Sequence, residues 1–287
     1  MKELVILSGK GGTGKTTVAG ALAHLWAGRS LFVDADVDAA NLHLVTKPDN
    51  LMRAPFVGGK VAQVDASRCT ECGVCTDLCR FDAIDDGRLE TVSCEGCGLC
   101  AQACPEEAIA MIDRTNGEWF LGRTPYGLLL HAELFPGEGN SGKLVSLLRE
   151  ESRKVAAKEH IERIVVDGPP GIGCPVMASL AGAHGILAVA EPSASGLHDL
   201  KRVLDLGRHF EIPCAVALNR ADVAPRLAAA VAAESAQRGV PLLAEIPYDT
   251  AVPECIAATV PVTTRPEAPA AVALRRLAAT LDEFLGE

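Results

Sequence analysis

Residues Ser8–Thr17, SGKGGTGKTT, set four glycines and two lysines between an apolar run, ELVILSG, and a helix-like segment, TTVAGALAHLWA. Strand, glycine-rich loop and helix in that order fix the local geometry. The glycines let backbone N–H groups turn inward at the start of the helix, where they and the aligned peptide dipoles favour an anion. Gly9–Thr16 satisfies G-x4-G-K-[ST], so Gly11, Gly12, Thr13, Gly14 and Thr17 wrap phosphate while Lys15 reaches its outer oxygens and Thr16 ligates Mg2+. A plain glycine-rich turn is the competing reading, and it leaves the flanking strand and helix unexplained.

Further short apolar runs recur along the chain: SLFVDAD, ERIVVDG, GILAVAE, CAVALNR and PLLAEIP. They are rich in Val, Ile and Leu and do not alternate in polarity, which suits strands buried on both faces of a parallel sheet. Helical patterns such as HDLKRVLDLGRHF and APRLAAAVAAESAQRG separate them. The expected fold class is therefore α/β, a doubly wound, mostly parallel sheet of the P-loop NTPase kind. WFLG and YGLLLHAEL read as additional strands, and NSGKLVSLLRE as the start of a helix.

One stretch breaks this rhythm. Between Gly58 and Asp113 the chain is short-patterned, polar and cysteine-dense, and Cys69, Cys72, Cys75 and Cys79 recur 25 residues later as Cys94, Cys97, Cys100 and Cys104. We expect an inserted small α+β domain over 58–113, built from two similar halves, within a nucleotide-binding domain formed by 1–57 and 114–287. Each run is C-x2-C-x2-C-x3-C, and the second ends in the Cys104-Pro105 step of the bacterial ferredoxin pattern. In that pattern the fourth cysteine of each run ligates the other run's [4Fe-4S] cluster. The expected ligand sets are Cys69, Cys72, Cys75 and Cys104 for one cluster, and Cys94, Cys97, Cys100 and Cys79 for the other. Arg80 stands where a proline would follow Cys79. Zinc knuckles and apolar burial are the alternatives; the segment contains no histidine, which zinc sites of this density commonly add.

Net charge is −10, so the long-range field repels nucleic acid and anionic lipid. No uninterrupted apolar run reaches the length of a membrane span, and no secretory signal is evident at the N-terminus. A cytoplasmic location is expected, where eleven cysteines point to metal rather than to disulfides. The last helix, AVALRRLAATLDEFLGE, puts Leu274, Leu277, Leu281 and Leu285 on one face, and its mixed charge suits packing on the sheet rather than a stable membrane anchor.

With its early lysine, KGGTGKT resembles the deviant Walker A family that includes MinD, ParA, the Mrp-type iron-sulfur carriers and the nitrogenase iron protein. VDADVDAANLHL is similar to that family's switch I, VVDGPPGIG to its switch II and ALNRAD to its adenine-holding segment. The resemblance implies ATP and Mg2+ as ligands, and a nucleotide-dependent homodimer or a heterodimer with a similar ATPase, in which Lys10 reaches the partner's nucleotide. It further implies that Asp36 positions the attacking water, that Asp34 and Asp167 hold Mg2+ directly or through water, and that Asn219 and the backbone at Pro247 contact adenine. A nitrogenase-type cysteine at the position of Cys174 would face its twin across the dimer, whereas residue type alone favours burial of Cys174, as of Cys214 and Cys255.

Together these readings imply a soluble ATPase whose ATP-dependent dimerisation gates electron transfer, or iron-sulfur or metal cofactor delivery, to an acceptor protein. The alternative is a MinD/ParA-like spatial organiser with ATP-controlled surface or polymer binding.

Overall fold

The computed structural model describes residues 1–286. Eleven strands run β1 (Lys2–Ser8), β2 (Ser30–Asp34), β3 (Asp49–Val64), β4 (Ile84–Asp85), β5 (Arg88–Leu89), β6 (Ile109–Thr124), β7 (Gly127–Leu134), β8 (Arg163–Pro170), β9 (Gly185–Ala190), β10 (Cys214–Asn219) and β11 (Leu242–Ile246). The helices are α1 (Lys15–Leu25), α2 (Leu42–Thr46), α3 (Val74–Leu78), α4 (Leu99–Ala103), α5 (Ser141–Lys158), α6 (Cys174–Leu180), α7 (Ala194–His209), α8 (Pro225–Gln237), α9 (Ala251–Ala257) and α10 (Pro269–Leu285).

Two compact units emerge. The first comprises Met1–Arg53, Trp119–Glu133 and Ser141–Glu287, and the second Ala54–Glu118 with Leu134–Asn140. In the first unit β1 lies between β8 and β9, and β2, β7, β10 and β11 extend the sheet on either side; the pairs β1–β8, β1–β9, β2–β8, β2–β7, β9–β10 and β10–β11 are all parallel. The middle residues of its central strands are apolar and buried because both faces are covered. Leu4 and Ile6 join a core with Val18, Leu22 and Trp26 of the α1 region and with Leu274, Leu277, Leu281 and Leu285 of α10. Val5 and Leu7, pointing the other way by strand alternation, are equally buried. The expected leucine face of the last helix thus packs in the core, and no described helix is long and apolar enough to cross a membrane.

Parallel strands placed side by side bring their C-terminal ends to one edge, where an open α/β sheet carries its ligand crevice. Asp34 at the end of β2 stands in register with Asp167 of β8, and the loop after β1 leaves from the same edge.

The second unit preserves the 25-residue repeat in its geometry. Helices α3 and α4 are each preceded by a left-handed glycine, Gly73 at φ 79° and Gly98 at φ 78°. Each half ends with an N–H donated to a cysteine sulfur: Ala83 to Cys79 Sγ at 3.4 Å, and Ala108 to Cys104 Sγ at 3.3 Å. Its core is small, with Ala62, Ile84 and Ile109 packed among Val64, Leu89, Met111 and five of the cysteines.

Candidate functional site

The loop after β1 turns on two glycines. Gly12 (φ 78°) and Gly14 (φ 98°) are left-handed, and a Cβ on Gly14 would stand 2.2 Å from Asn219 Nδ2. Asn219 donates that amide to the Thr13 carbonyl at 2.8 Å, so the end of β10 braces the loop. Gly11, Gly12, Gly14, Lys15, Thr16 and Thr17 line a cavity of about 740 Å3. Thr13 is buried beside them, and its Oγ1 has no partner.

Lys15 is the buried cation of this cavity. Its Nζ lies 3.1 Å from Asp167 Oδ1 and 3.8 Å from Asp36 Oδ2. Burial opposes its charge, but Asp167 and then Asp36 outweigh burial and hold the ammonium above its ordinary range. Asp167 is fully buried and its second oxygen, Oδ2, is unpartnered. Asp36 lines the cavity with 16% of its side chain exposed. Burial, with the nearby charges of Asp167 and Asp38, raises its carboxyl above the usual range despite the opposing pull of Lys15.

Asp34 has different work. Its Oδ1 accepts from the Asp36 N–H at 3.2 Å, and its Oδ2 from the N–H groups of Asn41 and Leu42 at 3.0 and 2.9 Å, so it organises the loop 35–42 and caps α2. Burial first, then the charge of Asp167, pushes its carboxyl to about 7. Three carboxylates therefore surround one lysine. That excess of negative charge, with an orphaned buried carboxylate oxygen and the Thr16 hydroxyl at hand, fits a divalent cation that brings phosphate with it.

Lys10 is directed away from the cavity. It pairs with Glu191 at 2.6 Å and donates to Ser195 Oγ at 2.9 Å, while Arg220 holds the same Glu191 at 3.2 Å.

The far wall of the cavity was not legible beforehand. Val252 and Ile256 of α9, Val260–Val262, Arg220, Leu44 and Val45 supply it, with Pro169, Pro170 and Pro175 opposite. Neither Asn219 nor Pro247 is among the lining residues. The only sequence signal was the apolar stretch AVPECIAATVPV, which reads equally well as core. Cys174 departs from the expectation of burial: it is exposed as the first residue of α6. Cys255 is buried and Cys214 half-buried.

In the second unit the eight cysteines sort into two cavities. One is lined by Cys69, Cys72, Cys75 and Cys104, the other by Cys79, Cys94, Cys97 and Cys100. Each takes three thiols from one run and the fourth from the other. Gly87 packs so closely that a Cβ there would sit 2.9 Å from Cys69 Sγ. Arg114, paired with Glu138, donates to the Cys94 carbonyl at 3.0 Å. Among the described residues, no three His, Cys, Asp or Glu side chains form a group that could hold a single metal ion.

Residues 4–262 match the CobQ/CobB/MinD/ParA nucleotide binding domain. The protein MJ0578 of Methanocaldococcus jannaschii is 31% identical over 220 residues, covering 76% of this chain and 78% of its own. Among solved structures, the cell division ATPase MinD of Pyrococcus furiosus superposes with a TM-score of 0.61 at 22% identity, over 99% of both chains. MinD of Pyrococcus horikoshii, complexed with Mg-ADP, gives 0.59 at 22% identity, over 99% of this chain and 97% of that one. At those identities the structural likeness speaks for the fold.

Proposed function

The chain belongs to the CobQ/CobB/MinD/ParA nucleotide-binding family, and from that premise we propose that it is a magnesium-dependent ATPase carrying two [4Fe-4S] clusters, in which the nucleotide state governs electron transfer or cofactor delivery to an acceptor protein. The observation that carries the reading is the three-plus-one division of the eight cysteines between two cavities, since that interleaving is the ligand arrangement of two-cluster ferredoxins. A donor set of four thiols, with an N–H directed at one sulfur of each cage, suits iron-sulfur ligation. When bound, such clusters supply one-electron redox chemistry.

Hydrolysis asks mostly for positioning and charge neutralisation. Thr16 and Asp167 would hold Mg2+, the latter through water at its free oxygen. Lys15 exchanges Asp167 for the phosphate oxygens. Asp36, with its carboxyl raised, orients the attacking water and is placed to take its proton as the terminal phosphate separates from ADP. The loop 35–42, tied to Asp34, and the segment after Asp167 both border the cavity, so loss of the phosphate contacts releases both. In the assembled dimer Lys10 leaves Glu191 for the partner's nucleotide.

A second reading, a MinD-like spatial organiser, is favoured by the fold likeness to MinD over nearly the whole chain. It leaves the paired thiol cages without a task. Anaerobic purification with iron and sulfide counting separates the two: about eight irons per chain support the cluster reading, and an iron-free chain that relocates with ATP supports the organiser.

A further inference from the structure

The two thiol cavities derive from one repeated pattern, yet their rims differ. The 25-residue offset pairs Val74 with Leu99, Leu78 with Ala103 and Phe81 with Glu106. Leu78, Phe81 and Leu99 all line the cavity of Cys79, Cys94, Cys97 and Cys100. They nevertheless remain 39%, 44% and 43% exposed. At the other cavity the counterparts of Leu99 and Phe81 are the smaller Val74 and the charged Glu106, with Glu71 a second carboxylate there; Ala103, the counterpart of Leu78, does not line it, and the apolar rim carries one carboxylate, Glu95. Large apolar side chains held in water around one cage and absent from its twin mark a contact surface.

Charge identifies the occupant. The second unit holds 13 acidic and 5 basic residues, a net −8 of the chain's −10. Such a surface repels a second copy of itself, nucleic acid and anionic lipid, and attracts a cationic protein. An apolar centre within an acidic field is complementary to an apolar centre within a ring of lysine and arginine.

We propose that Leu78, Phe81 and Leu99 form the docking face for a basic electron-accepting protein, and that the cage of Cys79, Cys94, Cys97 and Cys100 is the one from which electrons leave. One electron passes from that cage to the docked acceptor, and a low-potential one-electron donor replaces it. The inference rests on the cluster reading above.

The test uses the full chain, loaded with iron and sulfide, reduced with dithionite and freed of excess reductant. Its oxidation is followed by stopped flow with cytochrome c, a basic one-haem probe, and with ferricyanide, a small anion that needs no docking face. Phe81→Gln and Leu99→Gln change shape and polarity at constant charge. Each is expected to slow cytochrome c reduction by about fivefold, the effect of losing one well-packed contact, with iron content and ferricyanide rate unchanged. The cytochrome c rate should also fall as salt rises from about 20 to 300 mM. Glu106→Gln, on the other rim, should stay within about twofold, as expected for a solvated charge. Wild-type rates in both glutamine variants, indifference to salt, or equal slowing by Glu106→Gln overturns the docking face. So does parallel slowing with ferricyanide, which assigns the loss to the cage, and so does self-association lost on Phe81→Gln, which makes a second copy the occupant. A chain without iron overturns the cluster reading and this inference together, whereas an iron-loaded chain with insensitive rates overturns only this one.

Discussion

Replacing Glu191 by glutamine tests how the early lysine is stored. Lys10 and Glu191 meet at 2.6 Å with side-chain exposures of 34% and 17%, and Arg220 shares the same carboxylate. A half-exposed ion pair of this kind contributes about 0.5–1 kcal/mol. The shared carboxylate puts Lys10's part at the lower half of that range, since Arg220 remains to neutralise Glu191 when Lys10 departs. If Lys10 must leave Glu191 to cross a dimer interface, each subunit gives up that contact on association. Glu191→Gln should then tighten ATP-dependent dimerisation by about fivefold to twelvefold, the equivalent of roughly 1.0–1.5 kcal/mol for two subunits. Sedimentation velocity with MgATP in an Asp36→Ala background, chosen because the proposed mechanism needs Asp36 for hydrolysis, measures the dimer constant; added salt should narrow the difference between Glu191→Gln and its parent. Weaker dimerisation in Glu191→Gln, or a dimer indifferent to Lys10→Ala, would refute the idea that the lysine is held in reserve.

Lys15→Ala leaves Asp34, Asp36 and Asp167 around an uncompensated site. It should abolish MgATP binding in calorimetry and lower stability by about 3 kcal/mol, as when one partner of a buried pair is removed; retained binding would contradict the assigned role. His131 is stacked between Phe120 at 4.8 Å and His43 at 5.3 Å, and burial, reinforced by His43, lowers its imidazole to about 4. Because the folded value lies below the unfolded one, the unfolded chain binds more protons between pH 4 and 6.5, so stability is present above that window and lost as pH falls through it. The loss is about 3 kcal/mol for an imidazole lowered to about 4. His131→Phe should remove that acid sensitivity in thermal unfolding, and an unchanged pH profile would count against it. Cys79→Ser should halve the iron from about eight to about four per chain and erase the signal of the cage lined by Cys94, Cys97 and Cys100. Loss of the signal belonging to the other cage would reverse the proposed crossing.

The parallel strands and the phosphate loop were legible because each is a local pattern: an unbroken apolar run, or glycines at fixed spacing before a helix. The division of the cysteines was legible from spacing together with the repeat. What sequence left open depends on distant partners. Asn219 braces Thr13 from 206 residues away, a contact that no local pattern reports. The wall formed by Val252, Ile256 and Val260–Val262 looks like core until the cavity beside it is seen. Cys174 is exposed at the start of α6, a placement that residue type alone does not report. Leu134–Asn140 groups with the second unit through Glu138, which pairs with Arg114, and Phe135, whose N–H bonds the Asn116 carbonyl, both long-range contacts.

The most direct test is EPR of the oxygen-free, dithionite-reduced protein with and without MgATP, alongside iron and sulfide counting. The account predicts about eight of each per chain, two interacting reduced clusters, and a spectrum that changes when nucleotide fills the cavity around Lys15. A zinc-loaded or metal-free chain, or reduced spectra identical with and without MgATP, would contradict it.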